Sequence, residues 1–125
     1  MKIYLAGPMR GIPNFNFPMF DRAAERLRSQ GYEVFSPADH DRELNGQEIE
    51  DQNPEGDEDL AAKRNGFSIR KALQADLTWI CRHADAVALL PGWENSTGAT
   101  AERATAIALG LSLIILGKEY THAAD

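Results

Sequence analysis

The sequence predicts an α/β fold: a doubly wound parallel sheet of four to five strands with helices on both faces. Three observations predict it. Short apolar runs alternate with helical stripes along the chain, one run (Ala86-Val87-Ala88-Leu89-Leu90) is apolar at every position, and Gly or Pro closes most of the runs. A strand covered on both faces needs such an uninterrupted run. Regular strand–helix alternation leads to parallel strands joined by right-handed crossovers, the Rossmann-like or flavodoxin-like arrangement.

Ile3-Tyr4-Leu5-Ala6, ended by Gly7-Pro8, reads as a buried first strand. Pro18 suits the first turn of a helix, and Phe20, Ala23, Ala24 and Leu27 follow at helical spacing until Gly31. Tyr32-Glu33-Val34-Phe35, closed by Ser36-Pro37, is a β-rich second strand. Residues 38 to 65 hold Asp, Glu, Asn, Gly and Pro with few large apolar groups, and are expected to be a long acidic loop inserted in one domain spanning 1–125. Ser68 is a candidate N-cap for a helix whose inward face carries Ile69, Ala72, Leu73, Asp76, Leu77 and Ile80. The third strand, 86–90, ends at Pro91-Gly92. An Ala-rich helix from Thr97 to Leu109 stops at Gly110, and Leu111 to Leu116 supplies a fourth strand.

The chain has 125 residues, 13 Lys and Arg against 19 Asp and Glu, and a net charge of -6. A domain of this size buries roughly two thirds of its unfolded surface and folds without disulfides or a structural metal. Cys81, the single cysteine, excludes an internal disulfide framework and a four-cysteine zinc site; it is expected to be a small buried residue in a reducing cytoplasm. No apolar run approaches the roughly 20 residues of a membrane span, and the N-terminus passes from Lys2 directly into strand-like sequence, so neither a membrane partner nor a leader is expected. Between Asp39 and Asp59 stand ten acids and one base, Arg42, which leaves the rest of the chain at +3. A small anion is compatible with that balance. Long nucleic acid is not, because no Lys/Arg stripe with interleaved aromatics exists.

In doubly wound sheets ligands bind beyond the carboxyl ends of the strands, where strand order reverses. That edge carries Gly7 to Gly11, Ser36 to Asp41 and Pro91 to Gly98. In Gly7-Pro8-Met9-Arg10-Gly11, glycines let backbone N–H groups approach an anion and Arg10 offers a fork for phosphate or carboxylate; neither a Walker loop nor a dinucleotide turn is present. In Gly92 to Glu102, Ser96, Thr97 and the helix start at Gly98 form an anion cradle, with Glu102 close behind in the helix field that favours its ionised form. Asp76 lies inside an apolar stripe, where burial raises a carboxyl pKa. Asp85, before the third strand, reads as a structural bond to nearby backbone. Trp93, and more weakly Trp79, could stack on a base. His40, His83 and His122 lack metal-ligand spacing, so no metal or other cofactor is expected.

Taken together, Ile3 to Gly11, Ala75-Asp76-Leu77-Thr78-Trp79-Ile80 through Asp85, and Ser96-Thr97-Gly98-Ala99-Thr100-Ala101-Glu102 resemble the nucleoside 2-deoxyribosyltransferase superfamily. The nearest branch is that of the nucleoside 5'-monophosphate N-glycosidases, the 5-hydroxymethyl-dUMP N-hydrolase-like group; the chain is also similar to small phage and bacterial proteins of the superfamily. The resemblance implies a doubly wound parallel sheet, a nucleotide or nucleoside ligand and a homodimer or larger homo-oligomer. It implies that Glu102 is the nucleophile at C1' of the sugar, Asp76 handles the proton of the departing base and Tyr4 positions the nucleophile. It implies that Arg10 and Ser96, with Gly7, Met9, Gly11 and Gly98, hold the 5'-phosphate. Pro8 departs from the branch by standing where a hydroxyl meets the phosphate. The acidic stretch has no counterpart. Base exchange by a deoxyribosyltransferase, a phosphoribohydrolase of the cytokinin-activating type, whose doubled glycine is missing here, and a nucleotide-binding module without turnover are the competing readings.

Overall fold

The computed structural model describes residues 1–45 and 69–121. Four strands form one parallel sheet: β1 (Lys2–Ala6), β2 (Glu33–Phe35), β3 (Ala86–Leu89) and β4 (Ser112–Ile115), in the order β2-β1-β3-β4. Registers pair Ile3 with Val34 on one side of β1 and with Ala86 on the other, and Ala86 with Ser112. The expected doubly wound sheet is therefore present, with four strands.

Among the described residues four α-helices pack on it: α1 (Phe17–Ser29), α2 (Pro37–Asn45), α3 (Ile69–His83) and α4 (Thr97–Leu109). Period-two alternation divides the buried strands between two layers. Ile3, Leu5, Ala86 and Ala88 face Phe17, Phe20, Ala23, Ala24 and Leu27 of α1. Tyr4, Ala6, Val87 and Leu89 face Ile80 of α3 and Ala99 and Ala106 of α4. This is why β1 and β3 look apolar throughout in sequence. Each fully buried Leu or Phe here stabilises the fold by roughly 1.5–3 kcal/mol. Among the described residues no helix is long and apolar enough to cross a membrane.

Helix ends follow local chemistry. Pro18 sits in the first turn of α1, the Ser96 hydroxyl accepts from Ala99 N at 3.1 Å to cap α4, and Gly110, at φ 71°, takes the left-handed position that ends it. Asp85 accepts from Lys2 N at 2.7 Å, the structural bond its position predicts.

Two expectations are corrected. The stretch read as a loop from residue 38 begins as a helix, since 37–45 form α2; residues 46–65 of that stretch, and Ser68, lie outside the described residues. A nine-residue helix needs little apolar content when its neighbours clamp it: Ala38 is fully buried, Arg42 donates to both oxygens of Asp21 at 2.8 Å and lies 4.8 Å over the Phe17 ring, and Arg28 reaches Asp39 at 3.0 Å. Cys81 is exposed. Ile80 takes the inward position of that turn, and the next residue points about 100° away around the helix.

Candidate active site

Strand order reverses between β1 and β3, and the chains leaving their carboxyl ends splay apart after Leu90 N has bonded Ala6 O at 2.8 Å. The gap is a cavity of about 610 Å³, walled by the loop after β1, the starts of α2 and α4, and the first half of α3. It is lined by Gly7, Met9, Arg10 and Gly11 from the first loop, by Ser96, Gly98 and Glu102 from the last, and by Asp76. Eight positions singled out from sequence thus meet in one place.

Tyr4 stands behind the cavity wall. Its ring is fully buried, stacked on Phe35 at 5.5 Å, and its hydroxyl donates to Glu102 Oε2 at 2.5 Å. Asp76 also reaches that hydroxyl. Burial, reinforced by the two acids, raises the Tyr4 pKa, so the phenol keeps its proton and remains a donor.

Glu102 is 5% exposed and lies in the second turn of α4, where the helix field is weaker than at the first. Desolvation pushes its pKa up to about 8 despite the Tyr4 hydrogen bond, with the charges of Asp76 and Asp41 adding to the rise. The expectation that Glu102 stays ionised through the helix field is therefore corrected: in the ligand-free cavity it holds a proton at neutral pH. Asp76 is raised as expected, by desolvation, to about 7. Its Oδ1 is buried and has no hydrogen-bond partner among the described residues.

The anion side is built differently. Arg10 Nη2 donates to Thr97 Oγ1 at 2.9 Å, tying the first loop to the start of α4. That loop continues through Asn14, Phe15 and Asn16, all at φ between 54° and 60°, a left-handed conformation that costs non-glycine residues of order 1 kcal/mol each. Asn16 holds it by donating to Pro8 O at 2.9 Å, and Phe15 is thereby turned into the cavity wall. Gly7 is required for close approach: a Cβ there would lie 2.8 Å from Leu90 Cβ.

Trp93 is not brought to the cavity. Its ring packs against the α4-side core and carries Arg103 at 5.2 Å. Trp79 likewise packs on Phe35, at 5.0 Å. Asp41, which the sequence places at this edge within Ser36 to Asp41 without giving it a role, is 5% exposed and in the cavity wall, with its pKa raised by desolvation and then by Asp76 to about 8. The available signal was Ser36-Pro37 as a helix start, which puts Ala38 and Asp41 one turn apart on the same face.

A family model described as a domain of unknown function (DUF4406) matches residues 1–115. No curated protein matches the chain.

Proposed function

The chain belongs to the DUF4406 family, and for this member we propose hydrolysis of the N-glycosidic bond of a (deoxy)nucleoside 5'-monophosphate, giving free base and sugar phosphate. The observation that carries the reading is the Tyr4–Glu102 hydrogen bond beside Asp76 in the wall of a cavity whose other side is a glycine- and arginine-bearing loop.

Glu102 first gives up its proton to water, and in the first step an oxygen of the resulting carboxylate bonds to C1' as the C1'–N bond breaks. The bonding pair leaves on the base nitrogen, and the Asp76 carboxyl gives that base a proton. Positive charge developing at C1' favours the ionised form of Glu102, and the Tyr4 hydroxyl keeps one of its oxygens aimed. In the second step the Asp76 carboxylate takes a proton from water, the water oxygen bonds to C1', and Glu102 leaves. Two inversions give retention. Arg10, the backbone N–H groups of Gly7 to Gly11 and the Ser96-capped start of α4 hold the phosphate.

Free-base release from a panel of ribo- and deoxyribonucleoside 5'-monophosphates and their unphosphorylated nucleosides, with and without an acceptor base, tests this. Wild type is expected to release base from monophosphates, and Glu102→Ala to lose at least about a thousandfold. No release from any member overturns the reading. Transfer to the acceptor base at the expense of water redirects it to base exchange.

The reading also carries a cytoplasmic home and an assembly of two or more copies. Exposed Ile107 and Leu109 at the end of α4 and Ile115 on edge strand β4 support the assembly, and sedimentation velocity checks it.

A further inference from the structure

The cavity has two chemically different ends. One is the Arg10–Thr97 junction at the start of α4. The other is a wall of three buried carboxyls from three helices: Asp41 on α2, Asp76 on α3 and Glu102 on α4, about 7 Å further along α4 than Thr97. These acids feel one another, and Arg10 is not among the charges that shift any of them.

We infer that the acid-lined end takes a base bearing an exocyclic amino group, of the cytosine or adenine type, in preference to a base carrying only oxo groups there, and that Asp41 is the residue that makes this choice. The inference rests on the glycosidase reading for the placement of the base.

Three observations support it. Each carboxyl has two oxygens and at most one hydrogen, so the wall is rich in acceptors at any pH. Asp76 is 7% exposed, and its Oδ1 has no hydrogen-bond partner among the described residues, so a buried acceptor in the cavity wall lacks a donor. Asp41 cannot swing away to water, because α2 is pinned through Arg42 to Asp21 and through Asp39 to Arg28. An amino group supplies the missing hydrogens. An oxo group in its place can only accept the carboxyls' own hydrogens, and it leaves the buried Asp76 Oδ1 without a donor in a site with little water to substitute.

Asp41 forms no bond to the sugar and passes no proton to the base, but its charge acts on Glu102, so its effect on the base is read from binding with turnover blocked. Binding is measured by calorimetry in a Glu102→Ala background, which blocks turnover without adding a donor, using dCMP against dUMP and AMP against IMP, pairs in which oxo replaces amino and the neighbouring ring nitrogen gains a hydrogen. At least tenfold tighter binding of dCMP and AMP is expected. Asp41→Asn, whose amide presents its own donor, is expected to bring both ratios within about threefold while leaving affinity for inorganic phosphate unchanged. Asp41→Ser serves as the second variant, and both are checked by thermal melting. Equal binding, an oxo preference, or an amino preference that survives both substitutions overturns the inference. Failure of the glycosidase reading shows separately, as wild type that binds these nucleotides and releases no base; binding of none of them overturns both.

Discussion

Tyr4 and Glu102 lie 98 residues apart in sequence and share a 2.5 Å hydrogen bond in which the phenol is the donor. The bond lowers the Glu102 pKa against a larger rise from burial. Removing the hydroxyl therefore leaves desolvation unopposed. Tyr4→Phe is expected to raise the Glu102 pKa above about 8, shift the acid limb of the kcat/KM profile to higher pH, and lower the rate near neutrality by roughly 10- to 100-fold. A pH–rate profile of both proteins checks it; an unmoved acid limb would sink the assignment.

The three cavity acids make a further prediction about stability. Their ordinary values are 3.8 for the aspartates and 4.5 for the glutamate, and the fold raises them to between about 7 and 8. Well below pH 3.8 they are protonated in folded and unfolded chains alike. As pH rises from 4 to 8 the unfolded chain releases protons that the folded one retains, so stability from these groups falls across that window. The melting temperature of the ligand-free protein should decline from pH 5 to pH 8. Asp41→Asn or Asp76→Asn should flatten the decline and raise stability at pH 8 by on the order of 1–3 kcal/mol.

Arg10 tests the anion end. Its guanidinium is oriented by Thr97 at 2.9 Å, so Arg10→Ala removes a charged donor already aimed at the loop. KM for monophosphates is expected to rise roughly 10- to 100-fold with a small change in kcat, and unphosphorylated nucleosides should be affected little. Equal losses on both substrate sets would show that Arg10 supports the loop and does not read phosphate.

Gly7 is limited by space. A Cβ at Gly7 would meet Leu90 Cβ at 2.8 Å and Cδ1 at 2.9 Å, contacts inside the packed core. Gly7→Ala should cost about 1–3 kcal/mol, read as a lower midpoint in urea unfolding; Gly11→Ala meets nothing within 4 Å, so its cost comes from its φ of 76° and not from a clash.

Much of this was legible because burial on both faces leaves a strong trace. The run 86–90 and the stripe Phe20, Ala23, Ala24 and Leu27 are dictated by the solvent they avoid, and both lie where periodicity puts them. The cavity loops were legible from glycines and hydroxyls at strand ends. Helix α2 was not, because its position depends on ion pairs with residues far away in sequence, Asp21 and Arg28, and composition records no partner. Asp41 therefore falls at the right sheet edge in sequence but without a role. The protonation of Glu102 was misread for a related reason: its place in the helix is local, whereas its desolvation comes from α3 and the sheet.

The pairing of β1 with β3 sets Ile3 beside Ala86, and this long-range closure governs when the site can exist. A chain emerging from the ribosome can form α1 early from local contacts, but it has no Glu102 beside Tyr4 until α4 has been made and the sheet has zipped in parallel. The chemistry therefore switches on with the last large loop closure. Partly folded chains of this protein should accumulate secondary structure before they acquire any nucleotide-dependent change in stability.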